Sequence, residues 1–119
     1  MIQMQVYRPS CLDDALRHMW KCAQGDAARP IAGGTDLVVS ARHAAAAGAT
    51  EQPVGWRVVD ISGLPEISGI CAPGDEVCIG AATTHTEIEE SEVILRAAPF
   101  LSEAAATIGS RQIRNRATI

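Results

Sequence analysis

Residues 30–39 read P-I-A-G-G-T-D-L-V-V, and the parsing of this stretch decides the fold. Ile31 and Ala32 form an apolar approach, Gly33-Gly34 a break, and Thr35-Asp36 a polar step that opens a run with helical spacing. Strand, glycine turn and helix start therefore follow one another. Such a turn has two readings. One is an ordinary tight connection. The other is an anion cradle, in which a helix N-terminus offers unpaired N–H groups and partial positive charge, and glycines let a phosphate or pyrophosphate approach the backbone. The residues of the turn alone leave both open.

The flanks supply matching elements. Upstream, Met4–Tyr7 reads as a strand broken by Arg8-Pro9. Ser10 then suits a helix N-cap, with Asp13 three residues on and Asp14 also favouring the positive helix end. Leu12, Ala15, Leu16, Met19, Trp20 and Ala23 line one face of that helix as expected core, and Gly25-Asp26 ends it. Around the turn itself the expectation is a strand at 29–32 and a helix at 35–47. That helix should bury Leu37, Val38, Ala41, Ala44 and Ala45 and stop at Gly48. A polar loop at 48–55 leads to a third strand at 56–61, W-R-V-V-D-I, buried at Val58, Val59 and Ile61. Strand-helix-strand-helix-strand order implies parallel pairing with right-handed crossovers.

Further along, the pattern turns antiparallel. Segments 67–72 and 76–81 flank P-G-D, a hairpin signal that sets Cys71 opposite Cys78. T-H-T-E at 84–87 is a capping box that starts a short helix through Ile88 towards Ser91. His85 lies inside that box with no nucleophile or second catalytic group beside it, so it reads as a cap neighbour rather than a general base. Pro99 opens a last helix with Leu101, Ala104, Ala105 and Ile108 at helical spacing, closed by Gly109.

Composition narrows the function classes. The chain has 119 residues, 47% of them hydrophobic, long enough for one domain, so one core is expected. No apolar run approaches the roughly 20 residues of a membrane span, and M-I-Q-M-Q-V lacks the layout of a secretory signal, so a soluble cytoplasmic protein is expected. A net charge of -4 and only four aromatic residues argue against nucleic acid, although Arg111, Arg114 and Arg116 cluster near the end. Cys11, Cys22, Cys71 and Cys78 show no C-x-x-C spacing, and His18 with Cys22 and Cys11 lacks a fourth ligand for zinc, so no metal site is expected.

Four stretches now stand in order: I-A-G-G-T-D-L at 31–37, V-V-D-I at 58–61, I-G-A-A-T-T-H-T-E-I at 79–88 and I-G-S-R-Q-I-R-N-R-A-T-I at 108–119. Together they closely resemble the N-terminal part of the FAD-binding subunits of molybdenum hydroxylases, the xanthine dehydrogenase and carbon monoxide dehydrogenase family, over essentially the whole chain. The resemblance implies an α+β fold: the small N-terminal subdomain of a vanillyl-alcohol-oxidase-type (PCMH-type) FAD-binding domain. Residues 1–82 would hold the three-stranded parallel sheet, flanking helices and hairpin, and residues 83–119 the helical start of a second subdomain.

The resemblance further implies that FAD lies between the subdomains. Its pyrophosphate would be held by Ala32, Gly33, Gly34, Thr35, Asp36 and Leu37, with Asp36 more a helix-start residue than a phosphate ligand. The second flavin motif of the family, a T-I/L-G-G-N loop, is represented only by Thr118 and Ile119. Arg114 and Asn115 would shape that loop or contact neighbouring structure; a solvated charged tail is the alternative. No catalytic residue is implied. In such complexes a molybdenum-cofactor subunit oxidises the substrate, an iron-sulfur subunit relays electrons, and the flavin subunit passes them to NAD or another acceptor. The abrupt end on Thr118-Ile119 leads to the expectation of a truncated, inactive chain with weak or absent FAD binding, whose Leu101, Ile108 and Ile113 seek a partner or a second copy. The competing reading is a non-catalytic interaction module that does not retain FAD.

Overall fold

A computed structural model describes residues 4–25, 28–47 and 56–119, with the backbone alone at Trp56. The described chain forms two compact units, Met1–Ser62 and Gly63–Ile119. The first contains β1 (Met4–Tyr7), α1 (Leu12–Ala23), β2 (Arg29–Ile31), α2 (Leu37–Ala46) and β3 (Trp56–Asp60). Its three strands are parallel in the order β1-β3-β2, with Val6 opposite Val58 and Ile31 opposite Asp60. Consecutive residues of a strand point to opposite faces. Val58 and Val59, in the central strand, are 1% and 0% exposed, so both faces of this small sheet are covered. The right-handed crossover rule accounts for this: connections that run from β1 past β3 to β2 and then back to β3 set their helices on opposite faces. Each valine contributes about 1.5–3 kcal/mol by its burial.

The expected buried stripe of α1 is corrected. Ala15 is buried, but Leu16 and Trp20 are 58% and 72% exposed. Leu12 and Met19 are half-buried, as are His18 and Cys22, and the His18 ring stacks on Tyr7 of β1 with centroids 3.8 Å apart and planes 5° from parallel, so a polar ring shares the covered face with the apolar side chains. The Ser10 cap is corrected too. Cys11 occupies the N-cap with no side-chain bond, and Asp14 instead reaches back, accepting from the Ser10 N–H at 3.0 Å. In α2, Ala41 is fully buried and lets the helix lie close, while Ala45 is exposed. The expected stop at Gly48 and loop at 48–55 lie outside the described residues.

The second unit begins with a 3-10 turn at Pro65–Ile67 and a short antiparallel hairpin, β4 (Ile70–Cys71) with β5 (Cys78–Ile79). Four short helices follow: α3 (His85–Glu90), α4 (Glu92–Ala97), α5 (Pro99–Ala106) and α6 (Arg111–Arg114). The expected division after residue 82 grouped the hairpin with the sheet. In the structure Ile70, Val77 and Ile79 pack instead with Leu101 against the buried Ile88, Ile94 and Ala105. The hairpin is therefore the sheet on which α3, α4 and α5 rest. It also gives Leu101 a partner within the chain, so that the expectation of an unpartnered last helix fails there; Ile108 is half-buried as well, and Ile113 is 40% exposed.

Candidate functional site

The glycine turn follows β2 at the C-terminal end of the parallel strands, the end at which open α/β sheets bind their ligands. Ile31 is tied to the sheet through its carbonyl, which accepts from the Ile61 N–H at 2.9 Å. The chain then leaves the sheet through Ala32 and Gly33, and Gly34 adopts φ +73°. An L side chain is strained there, and its Cβ would stand 3.3 Å from Ile31 Cδ1 and 3.4 Å from Val38 Cγ2. Helical winding begins at once: Val38 N–H donates to the Gly34 carbonyl at 3.1 Å and Ser40 N–H to that of Asp36 at 2.8 Å. Asp36 is the N-cap of α2 and its side chain caps nothing. Among the described residues, no protein acceptor takes the N–H of Thr35, Asp36 or Leu37. Three donors at the positive end of a ten-residue helix are therefore left without a protein acceptor among the described residues.

Two charged groups share this end of the sheet, and no role was read for them in the sequence. Asp60, the last residue of β3, accepts from the Ser62 hydroxyl at 2.6 Å and the Ser62 N–H at 3.1 Å, and Arg8, just after β1, lies 3.4 Å from it. The Ser62 hydroxyl, the Ser62 N–H and the Arg8 guanidinium all hold the Asp60 carboxyl below its usual range, against the opposing effect of burial. The V-V-D-I stretch contained that signal, since an acid that ends a buried parallel strand needs donors.

In the second unit, segment 108–119 is held along its length. Ser110 caps α6. Arg114, its side chain only 14% exposed, donates Nε–H to Glu89 Oε2 at 2.9 Å and Nη1–H to the Ile108 carbonyl at 3.2 Å. Thr86 Oγ1 donates to Asn115 Oδ1 at 2.7 Å. The His85 N–H donates to the Ala117 carbonyl at 2.9 Å, and the Ile119 N–H to the Thr83 carbonyl at 3.1 Å, so that Thr118 forms an antiparallel bridge with Thr84. Thr83, wholly buried, accepts from the Gly69 N–H and donates to the Gly69 carbonyl, both at 3.0 Å. Thr118 and Ile119 thus lie in an extended segment hydrogen-bonded to residues 83–85, and Arg114 is no part of a solvated tail.

Residues 2–119 match the family described as the FAD binding domain in molybdopterin dehydrogenase. The chain belongs to this family. It is 34% identical over 113 residues to the xanthine dehydrogenase FAD-binding subunit of Escherichia coli O157:H7, which covers 94% of this chain and 35% of that protein. It is 35% identical over 121 residues to the nicotinate dehydrogenase FAD-subunit of Eubacterium barkeri, covering 100% of this chain and 38% of the relative. Among solved structures, carbon monoxide dehydrogenase from Hydrogenophaga pseudoflava superposes with a TM-score of 0.83 at 30% identity, over 99% of this chain and 39% of that one. The chain therefore spans about a third of the length of these relatives. Its fold is the α+β arrangement of the family.

Of the positions expected to bind the cofactor, the structure brings Ala32, Gly33, Gly34, Thr35, Asp36 and Leu37 together on the turn of the first unit. It places Thr118 and Ile119 in the extended segment of the second. The residues of the turn fit an anion by their chemistry: three N–H groups at a helix start, and a threonine whose hydroxyl can donate, follow a glycine whose left-handed φ no L side chain adopts without strain. The Asp36 carboxylate is exposed and repels such a guest, which suits its place at the helix start.

Proposed function

We propose that the turn from Ala32 to Leu37 is the pyrophosphate-binding element of an FAD site, in a chain that serves as the flavin part of a xanthine-dehydrogenase-like molybdenum hydroxylase. The observation that carries the reading is the left-handed Gly34 turn leading into a helix start with three unpaired N–H groups, within a family match that spans the chain. FAD, when bound, supplies the redox chemistry, accepting electrons and passing them on. The chain's own residues bind and orient. The N–H groups of Thr35, Asp36 and Leu37 take phosphate oxygens, the Thr35 hydroxyl donates a further hydrogen bond, and the helix end offsets the negative charge. Thr118 and Ile119 open the second flavin motif, held in extended form by Thr83 and Thr84. No general acid or base is assigned. Molybdenum-cofactor and iron-sulfur subunits are the partners in this reading, and NAD or another acceptor takes the electrons in the cytoplasm.

The test reads the turn itself. FAD titrated into 15N-labelled protein should shift the amide resonances of residues 33–37 in fast exchange, and inorganic pyrophosphate should shift the same set. Unmoved signals at 33–37 at millimolar FAD would sink the reading.

A further inference from the structure

The hairpin of the second unit bears two thiols for which the flavin reading has no use. Cys71 on β4 and Cys78 on β5 are directly opposed in the antiparallel register, and both are exposed free cysteines. Alternation along each strand sends the neighbouring Ile70 and Ile79 inward, where they pack on Ile88, Ile94 and Ala105. The two thiols therefore share the outer face of a hairpin whose inner face is anchored. A one-residue slip would turn the isoleucines out to water, so the register that opposes the thiols is held by core packing. Gly80 secures the exit of β5: a Cβ there would collide with the Ile67 carbonyl, so the two backbones lie in direct contact.

The ladder defines how far apart the cysteines stand. The Gly80 N–H donates to the Gly69 carbonyl at 2.9 Å, one position beyond the Ile70–Ile79 pair. Hydrogen-bonded and non-hydrogen-bonded pairs alternate, so Cys71 and Cys78 form a pair of the hydrogen-bonded class, with Cα atoms roughly 5.5 Å apart. That lies inside the range a disulfide spans, about 4.4–6.8 Å. The Cβ atoms of this class stand about 5 Å apart, beyond the roughly 3.5–4.5 Å a disulfide takes, so the strands must draw together for the bridge to form, and the strained bridge is readily reduced. Exposed, strained bridges are the exchangeable ones.

We propose that Cys71 and Cys78 are a reversible dithiol–disulfide site, oxidised by small-molecule disulfides of the glutathione type. One thiolate attacks a sulfur of the small disulfide, forming a mixed disulfide and releasing one thiolate of the reagent. The opposing cysteine then attacks the protein sulfur of that mixed disulfide and displaces the second reagent thiolate. The S–S bond of the reagent is reduced, the S–S bond between Cys71 and Cys78 is formed, and the two protons leave the cysteines for the two released thiols. The site stands on the hairpin alone and does not depend on flavin binding.

The test uses the reduced protein as isolated, equilibrated with glutathione disulfide and glutathione, quenched with N-ethylmaleimide and read by intact mass and peptide mapping. The expected product has lost the mass of two hydrogens, takes up label at Cys11 and Cys22 only, maps its cross-link to Cys71 and Cys78, and reverts in dithiothreitol. Cys71→Ser should trap glutathione on Cys78 as a stable adduct. Separate glutathione adducts on both cysteines of the unsubstituted protein would overturn the proposal. So would full labelling of both, or a cross-link to Cys11, Cys22 or a second chain.

Discussion

At Gly34 the backbone does what only glycine does without penalty, and the surrounding side chains leave little room besides. Gly34→Ala should therefore destabilise the protein by about 1–2 kcal/mol, read from urea unfolding, whereas Gly63→Ala, at a position with open space and no left-handed φ, should be close to neutral. Equal effects would show that the turn is not strained as described. Asp14 gives a second prediction. Its carboxylate accepts from the Ser10 N–H, the Tyr7 hydroxyl and the Ser10 hydroxyl. The Ser10 N–H, then the Tyr7 hydroxyl, hold its pKa below the ordinary value, and the same contact raises that of Tyr7. The folded value lies below the unfolded one of about 3.9, so the stabilisation is present above that pH and is lost as pH falls through the depressed folded value. The Tm gap between wild type and Asp14→Asn should accordingly narrow as pH falls from about 5 towards 2; a gap independent of pH would contradict it. The sequence showed the participants here and not the direction: Ser10 and an acid one turn on were visible, but the acid reaches back to Ser10 and Ser10 caps nothing.

At the scale of elements, the segment after Gly109 shows how a basic cluster becomes structure. Arg114 satisfies Glu89 and the Ile108 carbonyl at once, in a partly buried position where charge-assisted bonds are worth about 1.5–3 kcal/mol. Arg114→Met should lower stability by that order and speed hydrogen exchange at the Ala117 and Ile119 amides, while Arg116→Met, on an exposed side chain, should do neither. Exchange at those amides unchanged by Arg114→Met would remove the clamp from the account. Legibility at this scale was uneven. The box at Thr84 and Glu87 forms as read, with both reciprocal bonds present. Helix α4 was missed because Ser91 looked like an end, whereas its side chain accepts from Ile94 N–H and begins a new helix. The signal was there in an N-capping serine followed by an acid and an apolar run. The contacts Glu89 and Thr86 make with Arg114 and Asn115 are more than 20 residues distant in sequence, and no local pattern reveals them.

For the whole molecule, a net charge of -4 and a pI near 5.2 predict minimum solubility near that pH, checked by light scattering across a pH series; a chain as soluble there as at pH 7 would count against the even surface charge this implies. The parallel pairing of three strands and the tight turn before α2 were legible from the alternation of strands and helices and from the glycine pair. The grouping of the hairpin was not, since Ile70, Val77 and Ile79 announce a buried face without saying which elements bury it. Strand order has a last consequence, and it concerns time. The middle strand, β3, is the last of the three in the chain, and among the described residues both outer strands pair only with it. During synthesis Met4 has no strand neighbour until Trp56 exists, and joining them closes a loop of roughly 50 residues. A nascent chain leaving the ribosome therefore holds β1 and β2 unpaired until residue 60 emerges, whereas the core at Ile88, Ile94 and Ala105 condenses among near neighbours soon after they appear.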